Sequence, residues 1–224
     1  MSNSPISSRH LLLTALLALP FLTLGGQSAP VKATETAEAI FAGGCFWCME
    51  EAFEKLSGVV EAVSGYIGGN VPNPDYAAVS AGTTGHTEAI KVAYDPGKIS
   101  YQELLASFWR NIDPLDGGGQ FCDRGSQYRS EIFVLDQRQQ ELATRSRQQI
   151  NDSGAFNIPV VTGISTASTF YPAEQYHQNY YRENPTRYKF YKWNCGRQQR
   201  LDSIWHSVKK LPFEAADALS TQTD

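Results

Sequence analysis

The order of apolar and polar positions divides the chain into short strands and helices. The apolar run AEAIFA at 37–42, ended by Gly43-Gly44, predicts a strand. From 46 to 56 (FWCMEEAFEKL) apolar residues recur at helical spacing. Glu50 and Glu51 stand near the start and Lys55 near the end, an order that suits the helix dipole, and Ser57-Gly58 stops the helix. Residues 59–66 and 87–94 read as strands, separated by a Gly/Pro/Asn loop that contains Asn73-Pro74-Asp75-Tyr76. SYQELLASFWRN at 100–111 predicts a second helix, with Ser100 as N-cap and Glu103 three residues on as a capping box. The Gly-rich stretch 113–127 predicts a loop without regular structure. Residues 131–135 read as a strand, 137–150 as a polar amphipathic helix and 160–165 as another strand. Beyond Phe170 the chain is dense in Tyr and Asn and is expected to wrap the domain as short helices and coil. With no internal repeat and no linker, one α+β domain is the economical reading.

Composition narrows the function classes. Of 224 residues, 42% are hydrophobic and 12% aromatic, which excludes disorder. Nineteen basic residues against 23 acidic give a formal charge of −4, and no basic run exceeds two residues. That balance argues against a nucleic-acid partner. The apolar run at 11–24 follows Arg9 and His10 and precedes small residues, the layout of a secretory leader. It falls short of the roughly 20 residues that span a bilayer. The expectation is a signal peptide and short spacer over 1–33, a catalytic domain over 34–212 and a polar, disordered tail over 213–224. The protein would be exported, to the periplasm, with an uncleaved leader tethering it to the membrane as the alternative.

All four cysteines, Cys45, Cys48, Cys122 and Cys195, lie beyond that leader. Cys45 and Cys48 form a C-x-x-C, a spacing shared by redox pairs and zinc sites. Two rival readings follow: a thioredoxin-like disulfide oxidoreductase, and a structural zinc module, although only one close cysteine pair is present. Cys45 comes after a strand and a Gly-Gly turn and opens a helix. A helix N-terminus favours a thiolate by about 0.3–2 kcal/mol, which readies the thiol without fully ionising it. The same cysteine packed beside Phe46 and Trp47 could equally be buried and inert.

Further blocks extend the pattern. Gly65-Tyr66-Ile67-Gly68-Gly69, Asn73-Pro74-Asp75-Tyr76, Thr84-Gly85-His86-Thr87-Glu88 and Gly125-Ser126-Gln127-Tyr128-Arg129-Ser130 follow Gly44-Cys45-Phe46-Trp47 in order. With these in place, the chain from about residue 39 to 205 resembles the peptide methionine sulfoxide reductases of the A type. The resemblance implies a two-layer α/β sandwich with a ferredoxin-like core, wrapped by a long coil-rich C-terminal segment. It implies reduction of methionine S-sulfoxide, in proteins and peptides and as the free amino acid, through a Cys45 sulfenic acid and then an intramolecular disulfide. Cys45 would be the nucleophile and Glu88 the proton donor, neutral through an apolar surround or a thiolate neighbour. Tyr76 and Tyr128 would hold the sulfoxide oxygen, Asp123 would order that network, and Phe46 and Trp47 would receive the substrate methyl group.

The resolving thiol is expected to be Cys195, in the C-terminal wrap where the family often places it. Cys48 is the alternative, at a position where many members carry Gly. Cys122 reads as a buried bystander and His86 as a loop-ordering residue. No bound cofactor or metal is implied, since nucleotide fingerprints and paired His ligands are missing from the sequence. Reducing equivalents would come from thioredoxin or a thioredoxin-like protein. The expected partners are that donor and oxidised proteins, with no nucleic acid and no stable membrane partner, the enzyme acting as a monomer.

Overall fold

A computed structural model describes Met1 and residues 35–215, and the expected leader lies outside the described residues. The elements run β1 (Ala37–Gly43), α1 (Phe46–Glu54), β2 (Val59–Ile67), α2 (Tyr76–Ser80), β3 (Thr87–Tyr94), α3 (Tyr101–Arg110), β4 (Gly119–Gln120) and β5 (Asp123–Arg124). After these come β6 (Ser130–Val134), α4 (Gln137–Asp152), β7 (Gly163–Thr166), β8 (Tyr171–Pro172), α5 (Tyr180–Glu183), α6 (Pro185–Asn194) and α7 (Arg197–Trp205).

Six strands form one sheet in the order β7-β6-β1-β3-β2-β8. Its four central strands, β6-β1-β3-β2, are antiparallel neighbours, with α1 linking β1 to β2 and α3 lying between β3 and β6. That is the ferredoxin-like arrangement, extended by β7 at one edge and β8 at the other. Side chains alternate across the sheet as strand geometry requires. Ala39, Phe41, Ile90, Val92, Ile132 and Val134 join the main core, where Met49, Phe53, Leu104, Phe108 and Trp109 of the helices meet them. Ile40, Ala42, Ala89 and Phe133 point to the other face and form a smaller cluster with Ile67, against which Ala167 and Phe170 pack. Both faces of the middle strands are therefore buried, and apolar runs replace clean alternation in β1 and β6.

The helix over 100–111 is realised as α3 with Ser100 as N-cap and the full capping box: the Ser100 hydroxyl accepts from the Glu103 N–H, and the Glu103 carboxylate accepts from the Ser100 N–H. Three stretches differ from expectation. The Gly-rich stretch 113–127 holds the β4–β5 hairpin and a 3-10 turn at Ser126–Tyr128, because Gly119 and Gly125, at φ +134° and +115°, allow a tight reversal. The strand expected from 160 begins at Gly163, since Val160 and Val161 bond instead to the Asn151 side chain and the Pro114 carbonyl. Phe213, where the polar tail was expected to begin, is buried in the core, so packed chain extends past 212. No helix among the described residues is long and apolar enough to cross a membrane.

Candidate active site

The site lies where α1 leaves the sheet. Gly44, at φ +81°, turns the chain out of β1, and Cys45 becomes the N-cap of α1. Its side chain makes no capping hydrogen bond. The first free N–H of the helix, that of Phe46, instead donates to Glu88 Oε2 on β3 at 3.1 Å. One bond thus ties the turn of the expected nucleophile to the expected proton donor.

Cys45, Phe46, Trp47, Tyr76, Glu88, Asp123, Tyr128 and Tyr191 together line a cavity of about 60 Å³. Each comes from a braced element. The Asp75 side chain caps α2 and accepts from the Ala78 N–H, and Glu174 accepts from the Tyr76 N–H at 2.8 Å. Tyr128 closes the 3-10 turn, whose Gln127 carbonyl accepts from the Thr87 hydroxyl and whose Gln127 amide donates to the Ser80 carbonyl. Trp47 stacks on Tyr180 with ring centroids 3.7 Å apart and donates its indole N–H to His177 Nδ1. Phe46 lies nearly parallel to the Tyr76 ring. His86 accepts from the Gly69 N–H through Nδ1 and bonds the Val71 carbonyl through Nε2, which holds the loop after β2.

The electrostatics follow from burial. Glu88 is 2% exposed, and desolvation, with Asp123 and Cys48 adding repulsion, raises its pKa to about 8. Burial raises the Tyr76 phenol to about 12 and lifts Tyr128 too, with the Glu88 carboxylate contributing in both, so both keep their protons as donors. Asp123 is also raised by burial, partly offset by the Tyr191 hydroxyl, which donates to Oδ2 at 2.5 Å.

The cysteines are arranged differently from expectation. Cys195 is bonded to Cys122, so it is not the free thiol waiting for Cys45, and Cys122 is exposed and paired rather than a buried bystander. The two free cysteines of the described residues are Cys45 and Cys48, both buried. They stand at the N-cap and one turn into α1, where the Cys48 N–H bonds the Cys45 carbonyl and the two thiols share a hydrogen bond. The physical reason is local: positions three apart on a helix face each other, whereas Cys195 caps α6 beside the β4–β5 turn. Burial, then Cys48, Glu88 and Asp123, push the Cys45 thiol up, against the helix-dipole expectation. Cys48 falls to about 7, through the Cys45 hydrogen bond and the Arg197, Tyr188 and Lys192 groups beyond it. The pair titrates as a unit.

Two residues not singled out in the sequence complete the site. Tyr191 partners Asp123, and its signal was a Tyr four residues before Cys195, on the same helix face. Arg197 is a buried guanidinium that bonds the Asn111 carbonyl and, more weakly, the Gly43 carbonyl. Nothing in its Arg-rich surroundings marked it.

A family model described as peptide methionine sulfoxide reductase matches residues 37–209. The chain belongs to the peptide methionine sulfoxide reductase family. It is 51% identical over 168 residues to the peptide methionine sulfoxide reductase MsrA of Streptococcus uberis, covering 75% of this chain and 98% of the relative. The Bacillus pumilus protein of the same name is 47% identical over 167 residues, covering 75% and 94%. Among solved structures, Mxr1 from Saccharomyces cerevisiae in reduced form matches with TM-score 0.61 and 32% identity, over 67% of this chain and 87% of that one. Methionine sulfoxide reductase A of Corynebacterium diphtheriae matches with TM-score 0.60 and 32% identity, over 69% and 77%. This peptide methionine sulfoxide reductase therefore carries the family's activity, the return of methionine (S)-S-oxide in peptides to methionine.

Proposed function

We propose that the reductase works through Cys45, with Cys48 as the first resolving thiol. The observation that carries this reading is the shared pocket: Glu88, held protonated by burial, opens onto the same cavity as Cys45, Tyr76 and Tyr128. The Cys45 sulfur attacks the sulfoxide sulfur while Glu88 protonates the oxygen, the two phenols hold it, and the thiol proton passes to the Glu88 carboxylate so formed. Phe46 and Trp47 wall the side that takes the methyl group. Oxygen transfer leaves the thioether and a Cys45 sulfenic acid. The Cys48 thiol then displaces that hydroxyl as water, forming the Cys45–Cys48 disulfide.

That disulfide is reduced by two electrons and two protons from a thioredoxin-like dithiol. The leader pattern supports export, and an exposed Cys122–Cys195 disulfide suits an oxidising compartment. N-terminal mass analysis of protein from the periplasmic fraction tests that reading, which an intact leader on soluble cytoplasmic enzyme would overturn. The mechanism is tested by reduction of a methionine sulfoxide peptide with wild type, Cys45→Ser and Cys48→Ser, followed by disulfide mapping with reductant withheld. Loss of activity in Cys45→Ser and a Cys45–Cys48 bond in the wild type support it. A Cys45–Cys195 bond restores the C-terminal resolver.

A further inference from the structure

Three side-by-side links zip the β4–β5 turn to the α6–α7 junction. Phe121 lies under the Arg197 guanidinium, 4.3 Å from carbon to ring centroid. Cys122 is bonded to Cys195, and Asp123 accepts from the Tyr191 hydroxyl. Consecutive positions 121, 122 and 123 thus face 197, 195 and 191. The turn carries Phe121 at φ +56°, a left-handed conformation that a non-glycine residue rarely adopts without support. Two of the six linked residues, Asp123 and Tyr191, are pocket wall. The covalent link sits beside them, and its Cys122 end is open to solvent. Its two sulfurs are bonded to each other, and the free thiol neighbouring Cys45 is Cys48.

We propose that the Cys122–Cys195 disulfide is a positioning clamp that seats Asp123 and Tyr191 against the sulfoxide pocket, so that opening it weakens substrate binding while the chemistry at Cys45 persists. The proposal rests on the assignment of Cys45 as nucleophile. The clamp opens when a dithiol reductant supplies two electrons and two protons: the S–S bond breaks to two thiols, and the dithiol closes to its own disulfide. Of the three links, the Tyr191–Asp123 hydrogen bond and the Arg197–Phe121 contact then remain. Substrate affinity would thereby follow the redox state of an exposed bond outside the reacting centre.

The test uses the full chain carrying Cys48→Ser, in which Cys45 performs one oxygen transfer without a disulfide partner on its own helix. Mild oxidation closes the clamp, and a dithiol followed by desalting opens it, each state being verified by mass mapping. Single-turnover reduction of a methionine sulfoxide peptide is then followed over a range of concentrations. The closed form is expected to half-saturate at about tenfold lower peptide, with the saturated rates within about threefold. Adding Cys122→Ser and Cys195→Ser should reproduce the open form permanently.

Tyr191→Phe should weaken binding in the closed form and change little in the open form, since both act through Asp123. Equal half-saturation in the two forms overturns the clamp, as does an equal Tyr191→Phe effect in both. In the four-cysteine chain, fully reduced and freed of reductant, one methionine per chain is expected. Two per chain would make the pair an electron relay instead of a clamp. Undiminished activity in Cys45→Ser would overturn the nucleophile assignment itself, a failure separate from any of these.

Discussion

Glu88 carries its proton to a pH where a free glutamate has lost it, with a pKa near 8 instead of 4.5. In the proposed mechanism the acid form is the donor, so kcat should fall as pH rises through about 8. Glu88→Gln should flatten that limb and lower kcat by about 10²–10⁴-fold, as read from a pH–rate profile. The same shift acts on folding. Between about 4.5 and 8 the folded chain binds a proton that the unfolded chain releases, so this group's contribution to stability declines as pH rises across that window. Cys48→Ser should abolish sustained turnover while leaving about one methionine per chain in a single turnover. A dione that traps sulfenic acids should then add its mass at Cys45. Cys45 stood out locally by opening a helix after a Gly-Gly turn, whereas Glu88, Tyr76 and Tyr128, which line the same cavity, were singled out only through the family resemblance of their ordered blocks. Tyr191 and Arg197 were not, because their importance comes from contacts with Asp123 and Phe121 about 70 residues earlier in the chain.

At the level of elements, the joint between β1 and α1 is where the sequence constrains the site most tightly. A Cβ at Gly44 would meet the Gln120 Cβ at 2.6 Å, on a residue at φ +81°. Gln120 cannot give way freely, because its amide bonds both the Asp113 N–H and the Asp113 carbonyl. Gly44→Ala should therefore cost about 1–3 kcal/mol, seen as a lower urea midpoint at unchanged slope. Turnover should drop with it, since Cys45 is the next residue. Element by element, the strands and helices with strong apolar period were readable to within a few residues, β3 to its ends. The β4–β5 hairpin was not. Three consecutive glycines signal freedom, and whether that freedom becomes disorder or a tight turn depends on the α6–α7 segment arriving beside it.

On the scale of the whole molecule, the described residues 35–215 contain the six-stranded sheet, the apolar clusters and every wall of the pocket. A chain lacking residues 1–33 should therefore fold and reduce sulfoxide peptide at the full-length rate, as measured by steady-state assay. A deficit would mean that residues 1–33 contribute to the fold or the activity. The outer strands have a consequence of another kind. The sheet ends in β7, four residues long, and β8, only two. A longer open edge is a template on which a second chain can continue the ladder. β8 pairs only Gly65 and Tyr66 of β2, and the Gln178 side chain occupies the Ser64 N–H and carbonyl, so the open border is confined to 59–63, where the exposed Glu61 carboxylate discourages a second strand.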